Sequence, residues 1–480
     1  MSPSLNRREF LGHAAAGGAA SSVGVGTVAR AAAAGNVLAY GAAGDGTTLD
    51  TASIQAAIDA AAQKGGGEVL FPAGTYLTGT LYMKSGVHLH LSSGAVILGS
   101  ADLADYPVTP CDYPSRTDHY TMRALIWGEG LHDIAITGSG VIDGQGAQFH
   151  RNFASRREVV TAAKQFAEEG RYLPHVRYMN RPYLIRFISC RNVRVEGVTL
   201  RNAAMWVQHY LDCDFVTLRG LHVYSHVAGN NDMIDVDCCR DVIIADCVGD
   251  TSDDAITLKS TGARATENVV ISNCIVSSHC NGIKMGTESV GGFKNIVITN
   301  CIVRPSSAEE VLAGRAEGLA GIALEIVDGG ALENVAISNI VIEGTPSPLF
   351  MRLGNRARPA RPRDPTPSVG TFRDVSVSNI IVTGASVTGC PFSGIPGHPM
   401  ENISLTDIRI QFAGGGPADV PDVLELEDRY PECTMFGVLP AYGFFIRHAK
   451  NVRLRDVELS CATPDPRPPI VTVNVEGFQQ

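Results

Sequence analysis

The chain has 480 residues, 45% of them hydrophobic and 18% charged, which supplies a large core and excludes a disordered polymer. A formal net charge of -10 argues against nucleic acid or an acidic membrane surface as a partner. With 51 glycines and only 6% aromatic residues, the composition favours many short strands and tight turns over a helical bundle.

In chain order, residues 1–34 read as an export signal. "NRREFLG" sets Arg7-Arg8 ahead of Phe10-Leu11, a small-residue apolar stretch follows, and Ala29-Arg30-Ala31 offers a small-x-small cleavage site. That order is the order of a twin-arginine signal, which carries folded proteins out of a bacterial cytoplasm. The expectation is a periplasmic or extracellular monomer, away from the membrane after cleavage, with residues 35–480 as one domain. No later run is long and apolar enough to span a bilayer as a helix.

Next, "TASIQAAIDAAAQKGGG" predicts a helix with one apolar face, suited to cap the open end of a solenoid. "GVHLHLSSGAVILGS" and "LHDIAITGSGVIDGQG" read as irregular early coils. Residues 147–180 predict a helical insertion with several arginines. From residue 190 a phrase recurs: "CRNVRVEGVTL", "CDFVTLRGLHV", "CRDVIIADCVG", "TENVVISNCIV", "FKNIVITNCIV" and four later copies. Anchored on Asn192, Phe215, Asp241, Asn268 and Asn295, its steps are 23, 26, 27 and 27 residues. Two or three short strands cannot bury their own apolar face, but stacking them on the next copy can, and the result is a parallel β-helix. A propeller needs longer blades, and a leucine-rich repeat needs a leucine register that is missing. Among the 12 cysteines, Cys190, Cys213, Cys247, Cys274 and Cys301 recur inside strand-like runs and read as small buried hydrophobes, so few disulfides are expected. "NRARPARPRDPTPS", residues 355–368, is a proline- and arginine-rich loop. Either it and the 147–180 insertion are solvated loops, or they wall one end of a groove and bring positive charge to it.

Acids concentrate in "GNNDMIDVDCCRDVIIADCVGDTSDDAITLKS". Asp232 precedes Asp253 by 21 residues and Asp254 by 22, close to one coil, so the three carboxylates are expected in one patch on neighbouring strands. Crowding raises the pKa of at least one, which gives an acid beside a base, as glycosidic bond hydrolysis requires. Asp235, Asp237, Asp241 and Asp246 read as turn and ladder residues. For the remaining acids two chemistries stand open: a metal-free hydrolase, or a Ca²⁺ site of Asp250, Asp253 and Asp254 serving a β-eliminating lyase with Lys259 or Arg264 as base.

"NND" at 230–232 and "SDD" at 252–254 resemble the motifs of glycoside hydrolase family 28, the polygalacturonase family. The opening "YGAAGDGTTLDTASIQAAIDAAAQKGGGEVLFPAGTYLTGTLYMKSGVHLHL", "GSGVIDGQG" at 138–146 and "LKSTG" at 258–262 are similar to that family in the same order. The resemblance implies a single right-handed parallel β-helix with a surface groove and single-displacement, inverting hydrolysis without a metal or other cofactor. It implies Asp253 as general acid and Asp232 and Asp254 as the pair that holds and deprotonates water, with Asn230 and Lys259 as substrate contacts inside the matched motifs. Where that family has Gly-His-Gly, "CNGIKMGTES" sets Asn281, with His279 two residues earlier. Where it has a basic triplet that grips a uronate, Ala323-Leu324-Glu325 stands. Either Lys284 or Arg352 substitutes for the lost base, or the sugar there is neutral. Trp206 and His209, one coil before Asp232, suit a sugar ring's apolar face, although Trp206 also reads as core filling.

The expected function is hydrolysis of α-linked residues in pectin-type polysaccharides or oligosaccharides, exo-acting because the insertions block one end, with rhamnogalacturonan as a further candidate substrate. A Ca²⁺-dependent lyase and a non-catalytic glycan-binding β-helix are the alternatives.

Overall fold

A computed structural model describes residues 35–149, 154–173 and 175–480. The expected twin-arginine signal lies outside the described residues.

In Arg191–Glu196, Asp214–Arg219, Arg240–Ala245 and Thr266–Ser272, β-branched and polar residues alternate, so every second side chain points to one face. These strands pair in parallel. One inward column runs Val193, Val216, Val242, Val269, Ile296, Val335, Val375, Ile403 and Val452 in unbroken register. No member of that column is more than 2% exposed. Each such side chain contributes roughly 1.5–3 kcal/mol of burial free energy. Among the described residues all 31 strands join one parallel ladder, wound as a right-handed β-helix. Between residues 183 and 278 each coil uses three strands; from Phe293–Pro305 onward, the second and third merge into one long strand.

The corners explain the recurring asparagines. Asn192, Asn268, Asn295, Asn334, Asn402 and Asn451 all have φ between 54 and 59°, a left-handed conformation that asparagine tolerates better than most residues. Their amides hydrogen-bond from coil to coil: Asn295 donates to Asn268 (2.9 Å), Asn334 to Asn295 (3.0 Å) and Asn451 to Asn402 (3.1 Å). A second amide ladder links Asn273, Asn300, Asn339 and Asn379. All 12 cysteines are free thiols, eleven of them buried.

The predicted cap is the helix Thr51–Gln63, which buries Ile54, Ala57, Ile58 and Ala61 against the first coils. Gly66, at φ 117°, turns the chain back into the first strands. A Cβ there would lie 2.6 Å from the Gly86 carbonyl oxygen, so only glycine fits. The 147–180 insertion contains the helix Arg156–Glu168. It docks on the 355–368 loop, where Tyr172 Oη donates to the Pro359 carbonyl (2.7 Å) and Arg363 donates to that of Ala167 (2.9 Å). A third excursion, residues 413–442, stands between the strands Met400–Phe412 and Phe444–Cys461.

Candidate active site

Asp232 ends the loop before the strand Ile234–Asp237, and Asp253 and Asp254 end the corresponding loop before Ile256–Ser260. The two loops stack because Met233 N–H donates to the Asp254 carbonyl (3.1 Å) and Ile234 N–H to that of Ala255 (3.0 Å). Asn231 fixes the first loop from inside. Its Oδ1 accepts from the Val227 and Ala228 amides and its Nδ2 donates to the Ala203 and Met205 carbonyls. In the second loop, Ser278 Oγ donates to the Asp253 carbonyl (2.6 Å). All three carboxylates then line one cavity of about 360 Å³, together with Asn230, Trp206, Lys259 and Lys284.

Both lysines of the cavity are paired with acids. Lys259 Nζ lies 3.6 Å from Asp232, 3.3 Å from Asp235 and 3.9 Å from Glu288, and 4.6 Å from the centre of the Trp206 ring. Lys284 Nζ lies 3.1 Å from Asp254 Oδ2. Asn281 lies beneath the same carboxylate, whose Oδ1 accepts from its backbone N–H (3.0 Å) and Nδ2 (2.8 Å). Asp253 Oδ1 accepts from the Asp254 N–H (2.8 Å), and Asp253 Oδ2 from Asn230 (3.4 Å).

These surroundings split the adjacent acids. Burial and the Asp254 charge push Asp253 above the usual carboxylate range. Burial also acts upward on Asp254, but Lys284, Lys259 and Asn281 outweigh it and hold that carboxyl below its ordinary value. Asp232 is pushed well up by burial and by Asp235 and Asp253. Glu288 falls to about 2, because Arg358 and Lys259 overcome its burial. The pair is therefore biased in opposite directions, Asp253 towards its acid and Asp254 towards its anion, as a general acid and base in one site require.

Five residues expected at the substrate do not line the cavity: Asn281, which lies beneath Asp254, and four others. His209 is fully buried below Trp206, with Nε2 3.2 Å from Asp237, and burial lowers it to about 4, so it is a neutral packing residue. His279 does not share a face with Asn281, because the strand Ile275–Ser278 has already ended; its Nε2 contacts the Ala308 carbonyl and its ring faces His226. Glu325 is buried, and burial drives its carboxyl well up, so it presents no anion to a sugar. Arg352 donates to the carbonyls of Glu425 and Leu426, pinning the 413–442 segment. Asp235 is likewise no ladder residue but the partner of Lys259. The lyase set is dispersed: Asp250 takes His226 (2.9 Å) and Ser307, and Arg264 binds Asp212 and Asp214.

Tyr120, Tyr178, Met205, Thr287, Glu288, Arg356, Arg358 and Tyr430 complete the lining without having been singled out as residues. The arginines belong to the 355–368 loop, whose sequence announced a basic wall, and Tyr178 belongs to the helical insertion. Tyr430 comes from 413–442, and the 49-residue step from Asn402 to Asn451 was its one signal.

A sequence profile for the glycosyl hydrolases family 28 matches residues 67–424. A probable polygalacturonase of Vitis vinifera is 30% identical over 230 residues, 46% of this chain and 43% of that protein. An exo-poly-alpha-D-galacturonosidase of Dickeya chrysanthemi is 29% identical over 252 residues, 46% of this chain and 41% of that protein. The chain spans less than half the length of these curated relatives. Among solved structures, the exopolygalacturonase of Thermotoga maritima shares the fold with a TM-score of 0.69 at 24% identity, over 88% of this chain and 91% of that one. The profile covers well over half of the sequence and includes all three carboxylates, and the chain belongs to glycosyl hydrolase family 28.

Proposed function

We propose that this protein is a glycoside hydrolase that removes acidic sugars from the ends of α-linked, pectin-type chains by single displacement with inversion. The observation that carries this is the opposite bias of the neighbouring carboxyls Asp253 and Asp254 within one cavity. Asp253 donates its proton to the leaving glycosidic oxygen as the bond to the anomeric carbon breaks. Water attacks from the opposite face, Asp254 takes its proton, and Asp232 orients it by hydrogen bonding. Lys284 belongs to this machinery, since its charge keeps Asp254 ionised.

Two features support an acidic sugar and end-wise action. Four acids and four bases line the cavity, and Asp232 and Asp253 are both biased towards their neutral forms, so the lining leans positive. Arg356 is the base that forms no ion pair among the described residues; its guanidinium lies 5.0 Å over the Tyr430 ring and contacts Thr287 Oγ1 at 3.5 Å. It replaces Glu325 as the residue that decides the sugar's charge. Walls contributed by the 147–180, 355–368 and 413–442 segments leave a pocket rather than a long channel.

The test is product analysis on oligogalacturonides, homogalacturonan, rhamnogalacturonan and neutral side-chain oligosaccharides. The expected result is release of saturated acidic monosaccharide with inverted anomeric configuration, unchanged by chelator. Unsaturated, ultraviolet-absorbing products would overturn it in favour of elimination. Binding without turnover by the wild type would overturn it in favour of a lectin-like role.

A further inference from the structure

The outward face of the first coils carries a second cluster, which shares no residue with the cavity. In the strand Val87–Leu91 the sequence alternates Val-His-Leu-His-Leu, so Val87, Leu89 and Leu91 are buried and His88 and His90 emerge two residues apart on the same side. The neighbouring strand Gly67–Phe71 sets Glu68 in register with His88. On the other flank, Thr137 is in register with His90. His88 Nε2 and His90 Nδ1 both point at Thr137 Oγ1, at 2.5 and 3.0 Å. A hydroxyl has one proton, so it can donate to only one of the two imidazoles that converge on it. A carboxylate oxygen of Glu68 and one nitrogen from each imidazole all lie within 4.8 Å of one another.

The geometry points to a binding site for a borderline divalent ion of the zinc class, held by His88, His90 and Glu68 with water completing a tetrahedron. Imidazole and carboxylate are the donors that Zn²⁺ takes, and three protein ligands with one open position is a recurrent arrangement. A tetrahedral ion at about 2.0–2.1 Å from each ligand needs donor atoms roughly 3.4 Å apart. Glu68 is exposed and both imidazoles are only half-buried, so side-chain rotation closes that gap without moving the strands. Arg194, whose charge acts on His88, pairs with Glu196 at 3.5 Å. The ion would clasp two successive coils from outside, next to the capping helix.

The test uses the full, untagged chain, freed of metal by chelator and dialysis, then titrated calorimetrically with Zn²⁺ and separately with Co²⁺. One Zn²⁺ per chain is expected, with tetrahedral Co²⁺ absorption bands and a rise in Tm on zinc addition. His88→Ala with His90→Ala should abolish all three signals; Glu68→Gln should weaken affinity at least tenfold. His90→Gln is the milder variant if the double substitution impairs folding. Asp253→Asn should bind zinc unchanged, since Asp253, Asp254 and Cys280 are the other group that could take an ion. Absent binding, binding that survives loss of the histidines, or binding lost in Asp253→Asn would each overturn the assignment.

Discussion

Two polar stacks climb the same solenoid under opposite rules. At the corner, Asn268, Asn295 and Asn334 pass a neutral amide hydrogen bond from coil to coil in contact with water. At the cavity, Asp232, Asp235, Asp254, Lys259 and Lys284 are buried ionisable groups, and Asp232 Oδ1 has no hydrogen-bond partner among the described residues. The amide ladder is fully satisfied and therefore stabilising. The ionic stack carries a desolvation cost that neighbouring charges overcome at Asp254, Lys259 and Lys284 but not at Asp232 and Asp235. That contrast assigns architecture to one stack and chemistry to the other.

The sharpest way to break the comparison is Asp253→Asn. It removes the proposed proton donor and should lower turnover by about 10²–10⁴-fold with Tm unchanged or raised, as read by initial rates and thermal denaturation. Lys284→Met should come next, cutting kcat/KM about tenfold to a hundredfold near neutral pH. It should also move the acid limb of the pH profile upward. The sign follows from Asp254: Lys284 depresses its pKa, so without that charge the carboxylate captures a proton at higher pH and the active form is lost earlier on acidification. A pH–rate profile superimposable on the wild type would remove Lys284 from the machinery. Arg356→Gln should raise KM for acidic oligosaccharides about tenfold while changing kcat little, consistent with loss of one charge-assisted contact. An equal loss on neutral oligosaccharides would assign Arg356 to structure instead. The smallest effect on catalysis belongs to Asn295→Ala. It deletes two ladder hydrogen bonds and puts alanine at φ 55°, costing roughly 2–4 kcal/mol in denaturant unfolding, while turnover per folded molecule stays the same.

The coils were legible because alternation and the spacing of Asn192, Asn268 and Asn295 are local properties that stacking repeats. Asp232, Asp253 and Asp254 were legible for the same reason: one coil of separation brings them together. Legibility ended where the chain leaves the coil. Glu325 and Arg352 are in register on adjacent strands, on the face that also carries Lys284, and position alone suggests a sugar contact for both. Arg352 is instead taken by the 413–442 segment, where it and Arg447 hold the carbonyls of Val423 to Leu426, and Glu325 is fully buried. His279 lies beyond Ser278, where the strand ends, so alternation no longer fixes the side it faces. No periodic signal reports which coil face a distant loop will cover.

The position of Tyr430 also bears on synthesis. A solenoid can add coils in the order they emerge, so the three carboxylates can be seated while the last part of the chain is still to be made. Their pocket is incomplete until 413–442 has emerged and Arg447, in the strand Phe444–Cys461, has anchored it. Until that segment is in place the acids face an open cleft, so on the proposed function a chain lacking 413–442 would differ in where it cuts before it differs in whether it cuts.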